Sequence, residues 1–187
     1  MNRHLRLILF AGCALSASDT LGQGLAFGRE SVNWNMYSVR QKGTGNSKAF
    51  SYVGVNYAVR QSEKKLLVMF EAFLDTKQSW VVKSAAKSNL LHHEQQLFAL
   101  TEVYTRIMRK QVDAFVNAQH NELTYEMLLA EVKRIYKDLN NELFLQQQLY
   151  NAQTKNGNDP VMQKHWDERI ARDLKDLEKF SETMQWF

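Results

Sequence analysis

Residues 90–102 read LLHHEQQLFALTE, and their spacing decides how the surrounding chain is interpreted. Apolar residues recur here at intervals of three and four, which is the period of an amphipathic α-helix. The pattern continues to position 115, so it predicts a long helix that begins near Ser88. The stripe consists of Leu90, His93, Leu97, Leu100, Tyr104, Ile107, Val112 and Phe115.

His93 and Glu94 stand in this helix as the first half of an H-E-x-x-H motif. In zinc peptidases, two histidines four residues apart hold one ion from the same helix face, and the glutamate activates the metal-bound water. Leu97 occupies the position of the second histidine and has no lone pair for zinc. His92 does not replace it, because it lies about 100° round the helix and is followed four residues later by Gln96.

Three strands are predicted upstream of the helix. Residues 53–59 alternate between large apolar and smaller or polar side chains, the period of a strand with one buried face. The run LLVMFEAFL at residues 66–74 is apolar on both faces apart from Glu71, which is typical of a central strand. The polar turn QSEK between these runs predicts a hairpin. Residues 31–39 are predicted as a further strand at the start of the domain.

Two more helices are predicted towards the C-terminus. One begins after Thr124 as its N-cap and ends at the sequence TKNGND. Asp159 and Pro160 provide the N-cap and first-turn proline of the other. The predicted stripes are Leu128, Val132, Ile135, Leu139 and Leu143, then Trp166, Ile170, Leu174, Leu177 and Phe180. A small antiparallel sheet followed by three long helices makes an α+β domain.

The N-terminus has the layout of an export signal. Arg3 and Arg6 precede the short apolar run LILFAGCALSA. That run is well short of the roughly 20 apolar residues that a transmembrane helix needs, so no membrane span is expected. The chain therefore divides into an export signal at residues 1–24 and one domain at 25–187, and a periplasmic or extracellular protein is expected.

Cysteine usage and charge exclude several classes of protein. Cys13 is the only cysteine of the 187 residues, so the mature domain contains no internal disulfide. FAGC at residues 10–13 loosely resembles a lipobox, which leaves a lipid anchor at Cys13 as the minority alternative. The net charge of +4 arises from interleaved basic and acidic residues, which predicts a mixed solvated surface and no nucleic-acid partner. Neither a G-x-S-x-G elbow nor a Walker loop is present.

The segment LLHHEQQLFALTEVYTRIMRK at residues 90–110 resembles a bacterial family of secreted proteins regarded as zinc-dependent proteases. The family segment reads approximately L-L-x-H-E-Q-x-H-F-D-I-x-E-x-x-A-R. Ser79 and Trp80 resemble its upstream S-W, and YNAQTKNG at residues 150–157 resembles its Y-D-x-E-T-x-H-G. The resemblance covers most of the mature chain and implies a zincin-like fold. The other matching residues are Leu90, Leu91, His93, Glu94, Gln95, Phe98, Glu102, Arg106, Gln163, Trp166 and Ile170.

The chain departs from the family pattern where a metal would bind. Leu97 replaces the second helix histidine, and Asn156 replaces the later histidine that the resemblance implies as a further ligand. Ala99, Asn151 and Gln153 replace acidic residues. Without a dication, buried carboxylates lose their compensating charge, so neutral replacements fit a decayed site. The predicted vestigial pocket consists of His93, Glu94, Leu97, Tyr150 and Asn156.

Other candidate ligands have simpler interpretations. The spacing of His92, His120 and His165 gives no support for their recruitment to a metal. Glu102 follows His93 by nine residues, which turns it about 180° away on the helix and predicts a surface charge. Aromatic residues at helical spacing are mostly core, so two tryptophans are predicted to pack, whereas a third, near the C-terminus, is the better candidate for an exposed contact or anchors the last turn. These are Trp80, Trp166 and Trp186.

Three functions are compatible with these residues. The leading hypothesis is an exported, catalytically inactive protease-like protein that binds a protein partner in the cell envelope and needs no cofactor. The alternative is a residual zinc-dependent peptidase, in which Glu94 is the general base, His93 is one metal ligand and the remaining ligands are unrecognised. The third is a helical scaffold whose exposed faces bind an envelope partner.

Overall fold

The structure, a computed structural model, describes residues 24–44, 47–62, 65–119 and 122–187. It is an α+β domain, as predicted, with a small sheet and three helices. The predictions for residues 1–23, including the export signal and Cys13, lie outside the described residues. In chain order the elements are strands β1 (Leu25–Ala26), β2 (Ser38–Arg40), β3 (Ala49–Ser62) and β4 (Lys65–Val82), helices α1 (Ser88–Ala118), α2 (Tyr125–Gln153) and α3 (Pro160–Asp176), and strand β5 (Met184–Trp186).

The sheet is built around β4, which hydrogen-bonds to neighbours on both edges. On one edge it forms the predicted antiparallel hairpin with β3, in a register that sets Val55 opposite Ala72. On the other edge β5, β1 and β2 follow one another along β4. The first two are antiparallel to it and β2 is parallel. β4 runs beyond the predicted 66–74 because residues 79–82 are buried as well.

The segment predicted as a strand at residues 31–39 is mostly not a strand. Asn33 caps a 3-10 turn at Trp34–Met36, because its side-chain oxygen accepts a hydrogen bond from the backbone N–H of Asn35 at 3.0 Å. A side chain that bonds its own backbone in this way competes with sheet pairing. Only the last part of the segment joins the sheet, as β2.

The helices begin at the predicted caps. Thr124 Oγ1 accepts a hydrogen bond from the N–H of Met127 at 3.2 Å, and Asp159 Oδ1 accepts one from the N–H of Met162 at 3.2 Å. Pro160 lies in the first turn of α3, where its missing N–H costs nothing. All five residues of the predicted α2 stripe are buried. Within the described residues, no helix has the length and apolar character required to span a membrane.

Helix α1 is the central element of the domain. It packs against β3 and β4 and also contacts α2 and α3. Every residue from 97 to 106 is buried, so this part of α1 has no solvent-facing side. The arrangement brings the start of α1 next to the end of α2 and the start of α3. The core cluster around α1 includes Val55, Phe70, Leu100, Met108, Ile135 and Ile170.

Candidate functional site

His93 is buried near the start of α1, with 1% of its surface exposed. Its Nδ1 lies 3.1 Å from Oε1 of Gln163 on α3, and its Nε2 lies 3.1 Å from Oδ1 of Asn151 on α2. The ring of Tyr150 stacks on the imidazole with 4.5 Å between centroids and 6° between planes. Both ring nitrogens are therefore engaged by side-chain amides of two other helices.

The Tyr150 hydroxyl completes this network. It donates a hydrogen bond to the backbone carbonyl of His93 at 2.9 Å and accepts one from Nε2 of Gln163 at 2.9 Å. The ring of Trp166 meets that of Tyr150 edge-on at 5.4 Å. Burial raises the pKa of Tyr150, so the hydroxyl remains protonated and able to donate. The network joins α1, α2 and α3 at one point.

The imidazole is held in its neutral form. Burial lowers the pKa of His93, and its hydrogen bonds to Gln163 and Asn151 only oppose that effect. A neutral imidazole has one N–H and one lone pair. The N–H at Nδ1 suits Oε1 of Gln163, and the lone pair at Nε2 is satisfied when the Asn151 amide turns its NH₂ group to the ring. The lone pair that could hold a metal is then used inside the protein.

Glu94 faces a different set of partners. It is buried, and its carboxyl accepts a hydrogen bond from the Ser51 hydroxyl of β3. The Ser51 hydroxyl also lies 2.6 Å from the hydroxyl of Tyr37. Burial raises the pKa of Glu94 to about 7, although the Ser51 hydrogen bonds act in the opposite direction. Among the described residues, Glu94 and His93 share no hydrogen-bond partner.

The raised pKa of Glu94 predicts a pH-dependent stability. The folded state favours the neutral acid, so the stabilising contribution is complete below about pH 4.5 and is lost as the pH rises through about 7. We expect the wild type to lose ~3 kcal/mol of unfolding free energy over this range relative to Glu94→Gln. Urea unfolding at several pH values measures the difference. The exposed Glu182→Gln is the control, and parallel curves for Glu94→Gln and wild type would contradict the prediction.

The structure brings only part of the predicted pocket together. His93 and Tyr150 are in contact, Leu97 and Tyr150 both belong to the main core cluster, and Glu94 has its own hydrogen-bond partner in Ser51. Asn156 is exposed in the turn after α2, in a left-handed conformation with φ 53°. The predicted positions therefore surround the start of α1 without converging on one point.

Sequence reasoning missed the hydrogen-bond partners that surround these residues. Gln163 matches the quoted family pattern and Asn151 replaces an acidic residue of it, so both positions had been singled out, but their contact with His93 could not be predicted from their spacing. Nothing in the sequence indicated that Ser51 and Tyr37 lie near Glu94, because they come 43 and 57 residues earlier in the chain and only the folded structure brings them there.

Gly157 allows the turn after α2 to pass directly over His93. A Cβ added at Gly157 would lie 2.8 Å from Cβ of His93, and its φ is +79°. We expect Gly157→Ala to lower the unfolding free energy by about 2–3 kcal/mol, from a strained backbone plus a clash. Gly28→Ala is a matched control, because Gly28 has a φ of +83° and no atom within 4 Å of such a Cβ. It should cost only about 1 kcal/mol. Equal losses in chemical denaturation would exclude the clash.

The other histidines that the structure describes are not placed to complete a metal site. His92 Nε2 lies 2.7 Å from Oδ2 of Asp167 in a partly exposed pair. His165 is exposed, and His120 lies outside the described residues. Within the part of the chain that the structure describes, no group of three or more histidine, cysteine, aspartate or glutamate side chains is placed to hold a metal ion.

The prediction of Glu102 as a surface charge is wrong. Glu102 has 3% of its surface exposed, and its Oε1 accepts hydrogen bonds from Nε of Arg106 and Nη1 of Arg109, each at 2.9 Å. Arg109 is fully buried and also donates to the backbone carbonyl of Phe70 on β4. Glu102 does point away from His93, but that side of α1 faces the sheet and the C-terminal segment.

No protein family, curated protein or solved structure matches this chain. The resemblance to secreted zinc-dependent proteases therefore stays an expectation that rests on the residues quoted for it. The site consists of a buried neutral histidine held by two amides and, beside it on α1, a buried glutamic acid that accepts a hydrogen bond from the Ser51 hydroxyl.

Proposed function

We propose that the protein is an exported, non-catalytic relative of secreted zinc-dependent proteases, which acts as a binding or scaffold protein in the cell envelope. The predicted export signal supports this location. A lipid anchor at Cys13 is the less favoured alternative for how the protein would be held in the envelope. The loss of ligand residues at Leu97 and Asn156 supports the loss of catalysis. The partner would be a protein of the envelope.

The hydrogen bonding of His93 is the observation that carries this proposal. A histidine ligand must offer the lone pair of one ring nitrogen to the metal, while the other nitrogen is usually bonded by a carboxylate or carbonyl. Both nitrogens of His93 instead lie 3.1 Å from a side-chain amide, Nδ1 from that of Gln163 and Nε2 from that of Asn151. An imidazole in this setting acts as a structural link between helices.

The residues around His93 do not fit zinc. Protein zinc sites use three or four histidine, cysteine or carboxylate ligands. The groups that touch the His93 ring are the amides of Asn151 and Gln163, the hydroxyl of Thr154 at 3.4 Å and the ring of Tyr150. These are weak ligands, so we derive no metal-dependent step from this site.

One observation favours the alternative of a residual peptidase. A carboxyl with a pKa of about 7 is suited to general base catalysis near neutral pH, and Glu94 has that value. Its burial and its hydrogen bond from Ser51 oppose this role, because a base must reach a water molecule or substrate.

A peptidase assay separates the two functions. The full chain, supplied with zinc, is incubated with fluorescently labelled casein beside Glu94→Gln and the exposed-site control Glu126→Gln. Our proposal predicts the same background rate for all three proteins, with no effect of a chelator. Hydrolysis that is stopped both by the chelator and by Glu94→Gln, but not by Glu126→Gln, would establish the peptidase instead.

A further inference from the structure

Strand β5 lies at an outer edge of the sheet, and its backbone groups point alternately towards β4 and away from it. Leu66 and Phe187 exchange two hydrogen bonds, from the N–H of Leu66 at 3.0 Å and from the N–H of Phe187 at 2.9 Å. In an antiparallel pair, residues that bond the neighbouring strand alternate with residues that do not. Met184 and Trp186 therefore direct their N–H and C=O groups away from β4.

These outward groups are open to a further strand. Within the described parts of the chain, β5 pairs with β4 alone, and no other hydrogen bond reaches the backbone of Met184 or Trp186. The two residues are 55% and 57% exposed. A strand edge with free backbone groups is a template for pairing with another polypeptide.

Two other outer strands are less suited to such pairing. β3 is covered in its middle, where Val55 is only 5% exposed and the ring centroid of Tyr136 on α2 lies 4.6 Å from that of Tyr57. β2 ends in Arg40, and charged residues on an edge strand discourage pairing. β5 contains neither a charged residue nor a proline.

Gln185 brings an unpaired amide to the centre of the same strand. It lies opposite Val68 in the register with β4. Its Oε1 is buried and has no hydrogen-bond partner within the described residues. A buried amide oxygen without a donor is costly, so this side chain favours a neighbour that supplies one.

We infer that β5 pairs with β5 of a second copy of the chain, antiparallel and about a two-fold axis at Gln185. In this register, Met184 of each copy lies opposite Trp186 of the other. Because each of these residues offers one N–H and one C=O, the two pairs form four hydrogen bonds. An axis at Met184 or Trp186 would pair only one of the two residues within the strand.

The side chains are also complementary in this register. Met184 meets Trp186 of the other copy, and contact between a thioether and an aromatic ring is favourable. The two Gln185 residues form the pair without backbone hydrogen bonds, whose side chains lie closest in an antiparallel ladder. After rotation of the side chain, each amide can donate to Oε1 of the other. The contact uses the same edge of both copies, so it closes at a dimer.

The dimer is expected to be weak. β5 has three residues, and the pairing of so short a strand buries far less than the roughly 1,600 Å² of a typical stable interface. The single chain therefore predominates in dilute solution, and the dimer forms as the concentration approaches the millimolar range. This self-association does not depend on the proposed function or on the state of His93.

Sedimentation equilibrium of the full chain, from low micromolar to millimolar concentration, tests the pairing. We expect a monomer–dimer equilibrium without larger species. Met184→Ala should weaken the dimer by up to about tenfold, because it removes the contact with Trp186 but keeps the N–H. Met184→Pro should weaken it by a further factor of about thirty, because it removes two of the four hydrogen bonds.

Two observations separate this effect from a loss of the fold. Met184→Pro leaves the bonds to β4 intact, because the N–H that it removes points outward, and circular dichroism checks that the variant is folded. Leu145→Lys changes a residue of α2 that is 62% exposed, so it should leave the association unchanged.

A pair of charged variants tests the two-fold register. One carries Met184→Glu and Trp186→Glu, and the other carries Met184→Lys and Trp186→Lys. Each variant alone should stay monomeric, because like charges face each other across the axis. An equimolar mixture at low salt should form heterodimers, because opposite charges then lie in directly opposed positions.

Three results would overturn the inference. The first is a wild type that stays monomeric at the highest concentration, which would favour a strand of a different polypeptide at this edge. The second is a Met184→Pro protein that associates as strongly as Met184→Ala. The third is a mixture of the two charged variants that does not associate.

Discussion

Glu102→Leu is expected to lower the free energy of unfolding by about 3–5 kcal/mol, because it leaves Arg109 buried without its counter-charge. Arg109 is fully buried, and burial lowers its pKa while Glu102 opposes that shift. The guanidinium also holds the chain together, since it donates to the carbonyls of Phe70 on β4 and of Phe180 and Ser181 in the C-terminal segment. Urea denaturation followed by circular dichroism measures the loss.

Two further variants show whether charge is the cause. Glu102→Leu combined with Arg109→Met removes the buried charge pair and should recover part of the loss, as replacing a buried ion pair by apolar residues often does. The recovery is partial because the carbonyls of Phe70, Phe180 and Ser181 lose their donor and Arg106 loses one partner. Glu168→Leu breaks an exposed pair with Lys164 and should cost no more than about 1 kcal/mol. A Glu102→Leu protein as stable as the Glu168→Leu protein would contradict this account of the core.

Trp166→Ala is expected to cost about 3–5 kcal/mol of unfolding free energy, because it empties a large volume of the core. Trp166 is 1% exposed, its indole N–H donates to Oε1 of Gln153 at 2.9 Å, and its ring supports Tyr150. The loss of that support should also loosen the Tyr150 ring over His93. Thermal and chemical denaturation measure the stability, and the NMR signals of the His93 ring report the loosening.

Trp186→Ala is the matched control for this prediction. Trp186 lies in β5 with 57% of its surface exposed, so the same substitution should cost about 1 kcal/mol or less. Similar losses for Trp166→Ala and Trp186→Ala would mean that Trp166 does not contribute to the core as its burial indicates. The burial of Trp80 and Trp166 and the exposure of Trp186 agree with the sequence-based predictions.

The helices could be predicted because their signals are local. Thr124 and Asp159 are capping residues at the first turns that they stabilise, and the apolar period of α2 is complete within its own sequence. The prediction of a strand at residues 31–39 was wrong for a related reason. Its apolar residues alternate well enough, but Asn33 bonds the backbone two residues later and starts a turn. A local hydrogen bond from a capping side chain can therefore override a weak alternation of apolar residues.

The site was less predictable, because its contacts join distant parts of the chain. The angle calculated for Glu102 relative to His93 was sound, but an angle on one helix does not tell whether the far side meets water. Residues 97–106 of α1 are buried on all sides, so a charge placed anywhere there needs partners. Those partners, including Arg109, become recognisable only when the sheet and the C-terminal segment are in place.

The central claim is that His93 serves as a structural residue and holds no metal. Zinc content decides it most directly, measured by elemental analysis on the full chain purified without a metal-binding tag, with a known zinc peptidase carried through the same steps. We predict far less than one zinc per chain, and the same value for His93→Ala. One zinc per chain in the wild type that is lost in His93→Ala would contradict the claim and make the peptidase the leading function.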